Sequence, residues 1–290
     1  NNTGDVGKQL ERSQIQDKVK QIGRDTEFTM RQAADAFTTL KQSGLSAQQA
    51  LESIDKTMAF SSASAGTISL EEAASVAFSA MNKLKLSTAE TNRALDVFTK
   101  ATSESKLSFS DYQQIFDASS SAMLGFKGTT IESFAVMAGA MRDFGKSPRE
   151  IGKGFVALER SAKKMLVEFD YIDSRAGKSL GKQKARALVA LGLTREDLKT
   201  AKGTFKTMDE ISLLLLDRRN RLMNSGMDLA DANTLLYQAI GTTPGLDVVL
   251  ALEDTMTKRN KTFGELSATI ADSQDFSLLA QQRSLETVEG

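Results

Sequence analysis

The sequence predicts a mainly all-α fold, a multi-helix compact bundle of short capped helices. Three observations carry that prediction. A Ser or Thr recurs three positions before an acid or Gln, the spacing by which a side-chain oxygen and a returning carboxylate satisfy the free amides at a helix start. A glycine repeatedly precedes these starts, at Gly44, Gly66, Gly128, Gly145, Gly192 and Gly226, where a preceding helix ends most easily in a left-handed residue. Helix-favouring Ala, Leu, Met, Glu and Lys are plentiful, while 290 residues hold only two prolines, so little in the chain breaks a helix.

The helix starts fall, in order, at Ser46/Gln49, Ser69/Glu72, Ser87/Glu90, Thr129/Glu132, Ser147/Glu150 and Thr207/Glu210, with looser versions at Ser108/Asp111, Thr194/Asp197 and Asp228/Asp231. Pro148 follows Ser147, at the first helical position where its missing N–H costs nothing. Between starts the apolar residues keep helical spacing: Leu95, Phe98 and Thr102 share one face, as do Phe134, Met137, Ala138 and Met141. Ile211, Leu214, Leu215 and Arg218 form another face with a charged end. Most helices should therefore run about 10 to 18 residues. From Phe169 to Lys206 the rhythm weakens. Phe169 and Tyr171 alternate with acids, the pattern of a short strand, and Gly177, Gly181, Gly192 and Gly203 punctuate the stretch. An irregular insertion is expected over 169–206, with room for a small hairpin and with a helix over Gln183–Leu191. The domain reading is a helical lead-in over 1–25, a helical core region over 26–253, and a polar helical segment over 254–290, broken near Asp272–Gln274. That last segment is expected to continue into a longer chain.

Composition removes whole classes of chemistry. Without Cys or His the chain holds no disulfide, no thiolate nucleophile, no imidazole base and no His or Cys metal ligand. No enzyme activity, cofactor, catalytic residue or metal ligand is expected. Thirty-seven basic residues balance 37 acidic ones, so no global field draws the chain to nucleic acid or anionic lipid. No stretch approaches the roughly 20 apolar residues that span a bilayer.

Two Gly-Lys-Ser triplets, at 145–147 and 177–179, fail the phosphate-loop test. The glycine required five positions earlier is Ala140 in one case and Ile172 in the other. They read as a helix cap at Ser147 and a loop at Ser179. The stretch from Lys146 to Arg186 holds eleven basic and five acidic residues. Its candidate contact surface is Lys163, Lys164, Arg175, Lys178, Lys182, Lys184 and Arg186, fit to meet phosphates or an acidic protein surface, against the plainer reading of a solvated helical face. Gly241, Pro244 and Gly245 mark a candidate turn or hinge. Glu71/Glu72 and Asp209/Glu210 suit first helical turns, where carboxylates meet the positive end of the helix dipole, better than catalysis. Phe60, Phe78, Phe98, Phe116, Phe134 and Phe155, mostly one per helix, read as core. The small-residue runs Phe60–Gly66 and Ala135–Ala140 read as close helix crossings.

The order of several segments resembles the core region of bacteriophage tail tape-measure proteins. The residues that carry the resemblance are Gly44–Ala50 (GLSAQQA) followed by Ala63–Ala74 (ASAGTISLEEAA), Leu84–Thr99 (LKLSTAETNRALDVFT), Leu124–Ala140, Lys153–Leu166, Leu191–Ile211 and Ile240–Leu252 (IGTTPGLDVVLAL). The similarity runs from about Thr26 to Glu289. The Gly-rich, basic Arg175–Lys184 stretch departs from it by being longer and more charged. The resemblance implies a structural protein of the virion, lying in the tail lumen or at the tail tip after assembly in the host cytoplasm. It implies a tape measure that sets tail length and leaves before the DNA during ejection. Implied partners are tail tube and baseplate or tail-tip proteins and other copies of the chain, with transient contact to host membrane or DNA. The alternatives are a membrane-active helical protein assisting genome passage and a non-phage helical scaffold or adaptor.

Overall fold

Capping chemistry sets where the helices begin. The computed structural model describes residues 3–42, 44–119, 128–175 and 180–288. Among them are fourteen α-helices: α1 Thr3–Asp25, α2 Met30–Gln42, α3 Ala47–Ala63, α4 Leu70–Leu84, α5 Thr88–Glu104, α6 Asp111–Ser119, α7 Ile131–Asp143, α8 Pro148–Ser174, α9 Gln183–Ala190, α10 Met208–Asn224, α11 Leu229–Ile240, α12 Thr243–Arg259, α13 Phe263–Ala271 and α14 Phe276–Val288. The fold is all-α.

Full capping boxes form at Ser46/Gln49, Ser69/Glu72, Ser147/Glu150 and Thr207/Glu210. At Ser87/Glu90 the Ser87 N–H donates to Glu90 Oε2 at 2.7 Å and the Glu90 N–H to Ser87 Oγ at 3.3 Å. All six glycines expected at helix ends have positive φ, from 64° at Gly192 to 103° at Gly226, the region a Cβ disfavours. The start of α7 lies one residue later than predicted. Thr130, rather than Thr129, accepts from the Ser133 N–H at 3.1 Å, and the Thr129 hydroxyl instead accepts from the Met208 N–H at 3.5 Å. Two further caps, Thr29/Gln32 and Thr262/Glu265, start α2 and α13 by the same exchange.

The strand expected at Phe169 and Tyr171 is absent: both lie in α8, which runs 27 residues and exceeds the predicted length. Leu158, Ala162, Met165 and Phe169 are buried along one side of it, a 4-3-4 spacing that continues the helical stripe. Of the acids flanking Phe169, Asp170 is exposed and Glu168 half-buried. After α9 a 3-10 turn at Glu196–Leu198 precedes one antiparallel bridge between Lys199 and Phe205. The C-terminal helices break at 272–275, as expected, and again after Arg259, where Asn260 adopts φ 50°.

The chain divides into two units, one made of residues 1–104, 108–113 and 271–290, the other of 105–107 and 114–270. In the first, α2 packs on α4, α3 on α4 and α5, and α14 on α3 and α5. Phe98 stacks on Tyr112 at 4.3 Å between ring centroids, and the Tyr112 hydroxyl donates to the Phe98 carbonyl at 3.2 Å. Burial of that hydroxyl, with Asp111 alongside, holds its ionisation well above the usual tyrosine range. Phe60 meets the edge of Phe109 at 4.9 Å. Phe78, expected in the core, is half-buried.

The second unit is organised around α7, buried on every side from Ile131 to Met141, as a helix with an apolar circumference must be. Phe134 stacks on Phe116 at 5.2 Å and tilts against Phe155 at 5.8 Å. α12 lies on both α8 and α7. Gly154 lets α8 and α12 cross closely: a Cβ there would sit 3.0 Å from Val248 Cγ2 and 3.1 Å from the Pro244 carbonyl. Glu132, Glu159 and Arg219 are charged residues buried in this unit. Arg219 is 2% exposed, and it, rather than the predicted Arg218, ends the buried face of α10. Its Nη1 donates to Glu253 Oε2 at 2.8 Å and to Asn233 Oδ1 at 3.2 Å, its Nε to Asn220 Oδ1 at 3.1 Å, and its Nη2 to Glu253 Oε1. Arg218 pairs with Asp197 at 2.9 Å.

Candidate contact surface

The basic set predicted from 163 to 186 begins on the C-terminal half of α8 and ends on α9. Its members meet different fates, because local spacing puts acids beside some of them. Lys163 lies one helical turn from Glu159 and pairs with it. Tyr171 organises the end of the helix: Lys182 Nζ lies 4.4 Å from its ring centroid and the Arg175 guanidinium 5.6 Å, while the Gly181 N–H donates to its hydroxyl at 3.2 Å. The negative ring face and the phenol oxygen thus gather two cations and a backbone amide. Lys182 also reaches Glu168 at 3.4 Å. Lys164, Arg175 and Arg186 are exposed. Lys178, with Gly177 and Ser179 of the second Gly-Lys-Ser triplet, lies outside the described residues.

Lys184 differs from the rest. It is half-buried, and its Nζ donates to the Ile240 carbonyl at 3.2 Å. Burial, and then repulsion from Lys164, push its pKa down from 10.5 to about 8. The carbonyl it holds is the last of α11, an acceptor with no partner inside its own helix. Two groups that sequence reasoning kept apart therefore meet, because Ile240 leads directly into the predicted turn. Gly241 closes α11 at φ 80°, its N–H donating to the Tyr237 carbonyl at 2.6 Å. Pro244 falls in the first turn of α12. Gly245 is buried, and a Cβ on it would come within 2.9 Å of Ile240 Cγ2 and of Thr242 Oγ1. It allows a close approach here and needs no unusual φ.

Sequence reasoning missed Arg195, which joins Asp170 and reaches Asp173 at 3.6 Å. Its hydrogen bond to Asp170 and the charges of both acids raise its already high pKa. Asp170 and Asp173 lie on the outward side of α8, so the region's acids are largely engaged with its cations. The outward face presents a small set of exposed charges, without the aromatic interleaving that base stacking uses. Among the described residues no cluster of acids is arranged to hold a metal ion, and no helix is long and apolar enough to cross a membrane.

Comparison with known families is decisive at one level. The sequence model of the phage-related minor tail protein family matches residues 16–241. The chain belongs to that family. Neither a curated protein nor a solved structure matches it. As a phage minor tail protein it has a structural role in the tail, associates with other tail components and is found with the virion. Membership displaces the alternative of a scaffold unrelated to phage. The match spans most of both units and stops at Gly241, the glycine cap that Lys184 helps to close.

Proposed function

We propose that this minor tail protein is a tape-measure segment. It sets tail length during assembly, acting in several copies against tail tube and baseplate or tail-tip proteins, and it leaves the tail lumen ahead of the DNA. The observation that carries the reading is the helical content of a chain that belongs to a tail family. A chain of helices can be redrawn as one extended helix at 1.5 Å per residue, so that 290 residues reach about 430 Å. The order of segments that resembles tape-measure cores supports it further. The packed units described above are then the form of the segment outside the tube. The exposed cations Lys164, Arg175 and Arg186 are its contact with an acidic tail partner.

The test is tail length by electron microscopy after in-frame duplication of 208–252 in the phage gene. A ruler segment lengthens the tail by about 68 Å, at 1.5 Å for each added residue. An unchanged tail on infectious particles refutes the ruler and leaves a folded unit acting in assembly or ejection. Lys164→Glu combined with Arg186→Glu checks the contact surface. It should lower incorporation of the protein into tails without changing its helical content, and normal incorporation would remove those residues from the interface.

A further inference from the structure

Helix α14 is not capped by its own sequence. Asp275, the residue before it, sits at φ 55°, outside the extended geometry in which a capping side chain reaches back to its helix. Its carboxylate accepts from Lys56 Nζ at 2.6 Å instead. The cap is supplied by Asp96 on α5, 181 residues away. Asp96 Oδ1 accepts from the Ser277 N–H at 3.0 Å and from the Ser277 hydroxyl, and Oδ2 accepts from the Asp275 N–H at 3.2 Å. Lys56 Nζ, 2.9 Å from Oδ2, supplies the countercharge. Burial alone would depress the Lys56 ammonium, but its hydrogen bonds to Asp275 and Asp96 prevail, so it titrates above its ordinary value. Asp96 is 4% exposed, so its carboxylate meets these four donors with little competition from water.

The rest of the seat is lightly apolar. Ser273 and Ser277 are buried, Phe276 and Leu278 are half-buried, and Leu279 is 48% exposed. Phe276 lies under Lys100 Nζ at 4.7 Å, and Gln281 Nε2 donates to Ser62 Oγ at 3.3 Å. A helix of 13 residues is marginal by itself in water. One whose first turn is capped from another element, and whose Phe276 and Leu278 are only half-buried, depends on its seat more than most.

We propose that residues 272–288 form a releasable strap, helical only while the first turn of α14 rests on the buried Asp96 carboxylate. It detaches from α3 and α5 as one piece while the helices beneath it stay folded. Release uncovers the Lys56–Asp96 pair and Ser62. The seat on α3 and α5 is made before the strap during synthesis, and it is filled once residues 272–288 follow.

Hydrogen–deuterium exchange on the full chain, read by mass spectrometry, tests this. In the unaltered protein, amides of 276–282 should exchange together and well ahead of those in α4. Asp96→Asn removes the charge that holds the first turn. It should speed exchange at 276–282 about tenfold or more, the scale of a hydrogen bond to a charged group, and leave α4 within about twofold. Ser277→Ala keeps the buried pair and removes one donor, so it should speed exchange several-fold at 276–282 alone. The proposal is overturned if α14 and α4 exchange in a single step, if either variant accelerates both equally, or if Ser277→Ala leaves 276–282 unchanged.

Discussion

Removing the carboxylate of Glu253 should unlock the second unit. The Arg219 side chain is 2% exposed and that of Glu253 32%, so Glu253→Ala leaves a nearly dry guanidinium without its countercharge. Breaking a buried pair from one side costs about 3–5 kcal/mol. Two features pull this case to the lower end: water reaches one side of Glu253, and Asn220 and Asn233 still accept from Arg219. The expected cost is about 3 kcal/mol. For a unit of this size that corresponds to a fall of about 6–12 °C in Tm. Urea unfolding followed by circular dichroism measures it, with exchange of α10 and α12 amides assigning the loss to this unit. Arg219→Met with Glu253→Leu removes both charges and fills the space with apolar atoms. That double variant should recover most of the stability, because it strands no charge. A loss below about 1 kcal/mol for Glu253→Ala, or a double variant no better than the single one, would refute the view that stranded charge dominates here.

Other expectations rest on the same geometry. Gly152→Ala places a Cβ 2.5 Å from Ala118 Cβ and 2.7 Å from the Ile115 carbonyl. It should cost about 1–3 kcal/mol in equilibrium unfolding through overpacking, while Gly44→Ala, with open space around it, should show only the cost of about 1–2 kcal/mol for a left-handed alanine. The capping carboxylates Glu90, Glu150 and Glu265 titrate below their ordinary value of 4.5 because the Ser or Thr they cap with bonds their charged form. Their stabilisation is complete above that pH and disappears as pH falls through the lowered values, so Tm should decline steadily in titrations below about pH 4.5. Lys184 titrates the other way. With its pKa at about 8 against 10.5 unfolded, the folded chain binds fewer protons between those values, so this residue makes stability rise with pH there. Lys184→Met should flatten that rise in paired urea titrations at pH 8 and 10; an unchanged slope would reject the assignment.

The helix starts were legible because capping is local: a side chain and an amide three residues apart decide it, whatever the fold. Where two hydroxyl residues were adjacent, as at Thr129 and Thr130, local chemistry did not choose, and the choice went to the one whose neighbour Met208 did not claim its hydroxyl. Phe169 was misread because its acidic neighbours imitate a strand over three residues, whereas the stripe from Leu158 shows the period only over eleven. Arg218 and Arg219 are a sharper case, since turning α10 by one residue exchanges which guanidinium is buried. Glu253, which settles the matter, is 34 residues away. The contact surface was legible only as composition. Which of those cations are paired depends on Glu159 and Glu168 lying within reach of Lys163 and Lys182. That Asp96 caps a helix 181 residues further on leaves no mark in any window of sequence.

Among the described residues eight glycines, at 44, 66, 128, 145, 192, 203, 226 and 241, hold positive φ, and most of them end a helix. A glycine is also the residue that can leave that conformation with the least steric resistance. The same positions that terminate helices in the folded chain can thus turn right-handed and let neighbouring helices run together. Each would then stand inside a helix at a cost of about 1 kcal/mol relative to alanine, about 8 kcal/mol for the set. That is comparable to the whole stability of a typical folded domain. On the tape-measure reading, a chain drawn into a continuous rod would rely on surrounding walls or sister chains to hold it there. Alanine at these positions would reverse that bias, favouring a permanent rod over a chain that can refold.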